Sequence, residues 1–299
     1  MLVKPYTTVD GRAFGLGHIP NPDHRYTPFR VLLARAALAV APAAIDYEDI
    51  LPDVFDQGQT GSCEAHAASG GLLAVFQKAG NPLPFIPSMA DLYRIALSID
   101  RRPNADGSLP PLQDVGTEGN AIIRAFQEFG IRPMGSPPPD GRFSDADPAT
   151  ICRELQLGDL EADSSFKIEG AYSIYEQTAS DVGNAYMQAL ASFGPIPTAS
   201  FVDTAFMRWD PSKPAMGIPD YTDPKGGGHK PLVIGYNIVA NDGSVLTTWN
   251  GTLPAGAWRR WKVRNSWGKS WGLRGHFYAT DTWLAQTTER EVYLARKAA

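Results

Sequence analysis

The chain has 299 residues, 43% hydrophobic and 20% charged, a balance ordinary for a soluble globular protein with a sizeable buried core. Its net charge of −5 is small and evenly spread, which excludes a nucleic-acid footprint or an acidic-membrane binder. Two cysteines, Cys63 and Cys152, make no disulfide framework and are compatible with a reducing compartment.

Residues 1–50 read as an N-terminal extension. Its turn-rich opening (GLGHIPNPDHRYTPF) leads into the apolar run Val31 to Ala44 and then the acidic IDYEDILPD. That run is too short for a membrane span, carries Arg35 and follows thirty mostly polar residues. It is read as an amphipathic helix or packed segment, with no conventional signal peptide or transmembrane segment expected. Location is left open between cytoplasm, a virion and non-classical secretion.

Ser62 is the expected N-cap of a helix from Cys63 to Ala79, with Ala65, Ala68, Leu72, Val75 and Phe76 on one face and Gly80 past its end. Ser88 and Asp91 form a capping-box-like start for the helix MADLYRIAL. Thr117 is expected to open a third helical stretch that ends before Gly130. The proline- and glycine-rich stretches Arg101 to Gln113 and Gly135 to Asp147 read as surface loops. A fourth helix, Asp181 to Phe193, lies between Ser180 and Gly194-Pro195. Strand composition then takes over at Ile196–Phe201, Pro231–Val239, Val245–Thr248, Trp258–Val263 and His276–Tyr278. Helices first and strands second predict an α+β protein.

Three segments carry chemistry-bearing residues. Asp56-Gln57-Gly58-Gln59-Thr60-Gly61-Ser62-Cys63 puts a thiol on the first turn of a helix, where the helix dipole favours the thiolate. Gly226-Gly227-Gly228-His229 brings a histidine to a loop-to-strand junction. Arg264-Asn265-Ser266-Trp267-Gly268-Lys269-Ser270-Trp271-Gly272 offers an amide that could fix a histidine tautomer and an indole that could cover the bond. Each segment alone also fits a structural role: an inert buried cysteine, a satisfied histidine, aromatic core residues beside tight turns. Cys63 and His66 have metal-ligand spacing, but without a second nearby pair no metal site and no cofactor is expected.

In the order Cys, His, Asn, the three segments resemble the papain-like (C1-type) cysteine peptidase family, as a divergent bacterial or phage-like member. The matches are Gln57, Gly58, Gly61, Ser62 and Cys63; His229 with Gly235-Tyr236; and Asn265-Ser266-Trp267-Gly268 with Trp271-Gly272. The resemblance implies a papain-like two-lobe fold: a helical lobe at 51–165 with the nucleophile, a C-terminal antiparallel β-barrel-like lobe at 166–299 with His and Asn, and a cleft between them. It implies Cys63 as nucleophile, His229 as its base, Asn265 as the orienting group, and Gln57 with the Cys63 N–H as oxyanion donors, worth roughly 3–4 kcal/mol each. Gly228 and Gly116 would pair with an extended peptide, and Trp267 would shield the His–Asn bond.

The sequence departs from the family at several points. Thr60 replaces a disulfide cysteine, and the Cys-Asn-Gly-Gly loop is missing. Glu64 replaces a tryptophan after the nucleophile, and a carboxylate there opposes the thiolate. His229 and Asn265 are 36 residues apart, consistent with an added hairpin or loop between Asn241 and Trp258. The implied function is a cysteine endopeptidase acting on peptides or proteins. Its alternatives are a catalytically silent domain in a larger assembly, or an acyl transferase using the same triad. The N-terminal extension is expected to regulate the domain or to dock it to a protein partner.

Overall fold

The computed structural model describes residues 6–7, 12–20, 26–34, 41–134, 166–176, 178–207, 209, 227–248 and 250–295. Cys152, Gly226, the stretch 135–147 and part of the apolar run (35–40) lie outside the described residues. The extension contributes β1 (Tyr6–Thr7), β2 (Ala13–Phe14), β3 (Thr27–Pro28), α1 (Phe29–Leu33) and β4 (Ala44–Asp46).

α2 (Cys63–Lys78) is the central element. Ala65, Ala68, Leu72, Val75 and Phe76 face α3 (Met89–Asp100) and α4 (Gly119–Glu128) in the helical core. Gly70 and Gly71 weaken the helix interior by about 1 kcal/mol each against alanine, but they let the opposite face close on the strands. A Cβ at Gly70 would stand 3.0 Å from Leu232 Cδ2, and one at Gly71 3.6 Å from Pro197 Cγ. Gly80, in the left-handed region at φ +78°, follows the C-cap Ala79.

The remaining elements are β5 (Ile168–Ser173), α5 (Ala179–Ser192), β6 (Ile196–Val202), α6 (Thr204–Met207), β7 (Gly227–His229), β8 (Leu232–Val239), β9 (Trp258–Arg264), β10 (His276–Ala279), α7 (Asp281–Gln286) and β11 (Glu289–Ala295). The strands form a nine-stranded sheet in the order β10-β9-β8-β6-β11-β5-β3, with β4 added on β8 and β7 on β6. All its pairs are antiparallel except β3–β5. The β5–β11 pair straddles the two cores: Ile168 and Tyr293 pack with the helical cluster, Val292 with the larger cluster of the sheet. The result is the expected α+β, papain-like two-lobe architecture.

Several local expectations are corrected. Ser62 occupies the N-cap position of α2, but its hydroxyl makes no cap bond; it meets Thr60 Oγ1 at 2.6 Å and His66 Nδ1 at 3.2 Å. α4 begins at Gly119, because Thr117 is spent on backbone pairing with the extension. α5 starts earlier than Asp181: Thr178 Oγ1 accepts the Asp181 N–H at 3.2 Å. The Val245–Thr248 stretch forms only a single bridge, Val239 to Val245, and β5 and β11 were missed. Among the described residues no helix is long and apolar enough to cross a membrane.

Candidate active site

The two later segments meet because of sheet register. β8 and β9 are antiparallel with Leu232 opposite Arg264, so His229 just before β8 lies beside Asn265 just after β9. The connection 240–257 is at the far end of this pair, which explains how 36 residues can separate the two side chains without disturbing them. His229 Nε2 donates to Asn265 Oδ1 at 2.7 Å. The same Oδ1 accepts the Ser266 N–H at 2.8 Å, which fixes it as an acceptor and places the imidazole proton on Nε2. His229 Nδ1 is buried and has no hydrogen-bond partner. Trp267, fully buried, lies over the imidazole with ring centroids 4.9 Å apart.

The cysteine segment is stitched to this corner. Gln57 N–H donates to Ser266 O at 2.8 Å, Ser266 Oγ donates to Gln57 Oε1, and Gly268 N–H donates to Phe55 O at 2.9 Å. Asp114, from the helical lobe, accepts the Gly61 N–H at 2.9 Å and the Tyr93 hydroxyl at 2.5 Å. Cys63 is fully buried on the first turn of α2, and the backbone N–H of Lys230, the residue after His229, is directed at its sulfur.

The extension lies across this corner as an extended strand. Gly15 N–H donates to Gly58 O at 3.1 Å, and Gln57 Nε2 donates to Gly15 O at 3.0 Å. Thr117 N–H donates to Gly17 O at 2.8 Å and Ile19 N–H to Thr117 O at 3.0 Å, while His18 N–H donates to Gly228 O at 3.1 Å. A Gly17 N–H also points at the Cys63 sulfur. Phe14 stacks on Trp267 at 4.8 Å with the rings 10° apart. Glycine is required at the crossing: a Cβ on Gly17 would lie 1.7 Å from Gly61 O, and one on Gly116 2.1 Å from Gly17 O.

This cover sets the protonation states. Burial pushes the Cys63 thiol up to about 12, reinforced by Glu64 and only partly opposed by the Gly17 and Lys230 N–H groups. Burial pulls His229 down to about 4, against the bond to Asn265. With the segment in place the pair is a neutral thiol and a neutral imidazole.

Glu64 belongs to a buried charge cluster. Burial would raise its carboxyl, but the Lys230 ammonium and His18 reverse that and hold it low. Lys230 Nζ lies 2.9 Å from Glu64 Oε2, 2.6 Å from Glu291 Oε1 and 3.3 Å from Glu289 Oε2. Burial alone would discharge this ammonium; the three carboxylates, Glu291 foremost, keep it well above its ordinary value. Tyr293 donates to Glu291 Oε2 at 2.7 Å and Tyr26 to Oε1 at 3.2 Å. Gly119 fits at the base of the cluster, where a Cβ would be 2.4 Å from Glu291 Oε1.

Cys63, Gln57, His229, Asn265, Trp267 and Gly228 therefore converge. Against the extension Gly116 contributes space and Thr117 makes the main-chain bonds, while Gly116 N–H is directed to the Tyr93 hydroxyl at 3.0 Å. His66 turns back on its own helix, with Nδ1 2.8 Å from Ser62 O. Phe14, Gly15, Gly17, His18, Asp114, Lys230, Glu289 and Glu291 were missed. The alternating glycines of Gly15-Leu16-Gly17-His18 were the one available signal, since they mark a strand built for close backbone approach.

A central helix with cysteine at its N-terminus, facing an antiparallel sheet that pairs histidine with asparagine, is the arrangement of the papain-like fold. A family model described as "Peptidase C1-like family" matches residues 240–297. An uncharacterized peptidase C1-like protein of Acanthamoeba polyphaga mimivirus is 24% identical over 78% of this chain and 69% of its own length. Human cathepsin L2 is 24% identical over 79% of this chain, and the match spans 59% of the cathepsin. Among solved structures, xylellain, a cysteine protease from Xylella fastidiosa, superposes with a TM-score of 0.64 at 20% identity, covering 98% of both chains. The chain is thus similar to papain-like, C1-type cysteine peptidases and shares their fold.

Proposed function

We propose that the chain is a cysteine endopeptidase whose own residues 12–20 hold it latent. The observation that carries this reading is the His229 imidazole. It is oriented by Asn265 and shielded by Trp267, its Nδ1 has no partner, and the Cys63 sulfur lies against the backbone of the next residue. Once the segment leaves, rehydration of the corner removes the main cause of the neutral pair, and the proton of the thiol passes to Nδ1. The thiolate then attacks the scissile carbonyl carbon, forming a C–S bond. Gln57 Nε2, which holds the Gly15 carbonyl oxygen at 3.0 Å in the latent form, and the Cys63 N–H receive the oxyanion. The imidazolium returns its proton to the leaving amine as the C–N bond breaks, and water hydrolyses the thioester. The extension thus acts as an internal inhibitor, and the substrate is a peptide or protein laid in its place.

The test uses the full chain with Gly17→Ala, which evicts the segment without touching a proposed catalytic residue. Mass spectrometry after treatment with a peptidyl epoxide is expected to find Cys63 modified, and unmodified when His229→Ala is added. A Gly17→Ala protein whose Cys63 reacts with iodoacetamide but never with the peptidyl epoxide would sink the peptidase reading in favour of a silent domain.

A further inference from the structure

The loop that leads from Gln57 into Cys63 has no covalent tie, because its one cysteine is free, and hydrogen bonds alone set its shape. Its Thr60–Gly61 peptide unit is held at both ends. The Thr60 carbonyl oxygen accepts from Gln57 Nε2 at 2.8 Å, and the Gly61 N–H donates to Asp114 Oδ1 at 2.9 Å. The unit is planar and trans, so these two groups point in opposite directions and turning one end turns the other. Glycine at position 61 has no side chain to resist that rotation. Asp114 Oδ1 also accepts the Tyr93 hydroxyl at 2.5 Å, and the Tyr93 oxygen accepts the Gly116 N–H at 3.0 Å. Tyr93 is fully buried, and burial with the Asp114 carboxylate beside it holds its hydroxyl well above the ordinary phenol value. The proton therefore stays on the tyrosine and is given to Asp114. The chain of bonds has one direction, from Gly116 through Tyr93 to a carboxylate oxygen that also holds the Gly61 N–H.

We propose that Asp114 and Tyr93 are positioning residues that aim the side-chain amide of Gln57 at the oxyanion. The proposal rests on reading Gln57 as an oxyanion donor of a peptidase. A primary amide carries two N–H protons at a fixed angle, so holding one of them aims the other. In Gln57 one proton goes to Thr60 O at 2.8 Å and the other to Gly15 O at 3.0 Å, the position from which the oxyanion would accept. The oxygen end of the same amide accepts from Ser266 Oγ. When the segment leaves, the Gly15 bond is lost and Thr60 O remains to hold the NH2 group in its plane. A charged acceptor on the Gly61 N–H polarises the peptide unit and makes the Thr60 oxygen a stronger acceptor. Asp114 thus touches no reacting atom and acts through one peptide on a group that does. Its side chain is only part-buried, and the Tyr93 hydroxyl keeps it turned toward Gly61.

The experiment uses the full chain with Gly17→Ala and adds Asp114→Ala, Asp114→Asn and Tyr93→Phe in turn. Hydrolysis of a peptide substrate reads the oxyanion donor, whereas alkylation by iodoacetamide passes through no oxyanion and reads the thiol alone. Asp114→Ala is expected to lower kcat about tenfold, with KM and the iodoacetamide rate held within about twofold. Asparagine keeps an acceptor oxygen for both donors and is expected to recover most of that loss, while Tyr93→Phe is expected to cost about threefold in kcat. In a Gln57→Ala background Asp114→Ala is expected to cost nothing further, because the group it aims is gone. A full further loss in that background, an unchanged kcat, or an iodoacetamide rate that falls in step with kcat overturns the positioning role and leaves the peptidase reading standing. If the Gly17→Ala parent cleaves no peptide and takes no peptidyl epoxide while iodoacetamide alkylates Cys63, both readings fall. Where Asp114→Ala does not give a folded circular-dichroism spectrum, Tyr93→Phe carries the same comparison with Gln57→Ala. Should Gly17→Ala itself not fold, Gly15→Ala replaces it as the parent, since a Cβ there meets Thr60 O at 2.2 Å.

Discussion

Gly17→Ala is the sharpest single perturbation of the latent state. Its Cβ would stand 1.7 Å from Gly61 O and 2.2 Å from Gly61 C, both backbone atoms of a loop pinned by Asp114. Relief requires the strand to move by more than an ångström, and the three adjacent bonds cannot survive that: Thr117 N–H to Gly17 O at 2.8 Å, His18 N–H to Gly228 O at 3.1 Å and Ile19 N–H to Thr117 O at 3.0 Å. At about 1 kcal/mol each the closed form loses about 3 kcal/mol, a shift of roughly 100-fold toward the open form. The assay is alkylation of Cys63 by iodoacetamide from pH 6 to pH 10, with peptide mapping to separate it from Cys152. In the wild-type chain the thiol at about 12 keeps the reaction slow and still rising at the top of the range. In the variant the rate is expected to rise on the order of 100-fold at pH 7, with its midpoint moved down into the range. Equal rates in two equally folded proteins would refute the claim that the segment controls the thiol.

Three further outcomes follow from the same geometry. Gln57→Ala in the Gly17→Ala background is expected to lower kcat on a peptide substrate by about 10²–10³ with little change in KM; a change confined to KM would remove Gln57 from the oxyanion role. Gly119→Ala drives a Cβ to within 2.4 Å of Glu291 Oε1 and 2.7 Å of Glu289 Oε2, and is expected to cost about 1–3 kcal/mol in denaturant unfolding; no loss would mean the charge cluster is not packed as described. His229 titrates near 4 when buried and at 6.5 when free, so the unfolded chain binds more protons between those values. Stability is therefore complete above pH 6.5 and falls toward pH 4, by up to about 3 kcal/mol from this group, with Glu64 adding a loss in the same direction at the acid end. A denaturation midpoint that stays flat from pH 7 to pH 4.5 would contradict the burial of a neutral imidazole.

Much of the fold and the proposed triad was legible because their signals are local. The periodicity of Cys63 to Ala79 marks α2, and the Trp-Gly pairs mark the turns after β9. The meeting of His229 and Asn265 needed only one antiparallel pair with a long connection at its far end. What stayed hidden depends on long-range placement. β5 and β11 were missed because their faces divide between two cores, so neither shows a clean alternation. Thr117 looked like a helix start because the competing claim on its backbone comes from residues about a hundred positions earlier. Glu289 and Glu291 lie on β11, one of the missed strands, and nothing near them in sequence announces Lys230.

Glu64 shows why reading one residue at a time fell short. From sequence it stands as a carboxylate beside a thiolate, a handicap, and in the structure it does raise the Cys63 thiol. Its own charge, however, is held by Lys230 on one oxygen and by His18 on the other. On the latency reading, eviction of the segment takes His18 away from Glu64 Oε1 at the moment the thiol must ionise, so the field of Glu64 at the sulfur is then opposed by Lys230 without the imidazole. Glu64→Gln in the Gly17→Ala background is therefore expected to move the midpoint of Cys63 alkylation to lower pH. An unchanged midpoint in a folded protein would remove Glu64 as a control on the thiol.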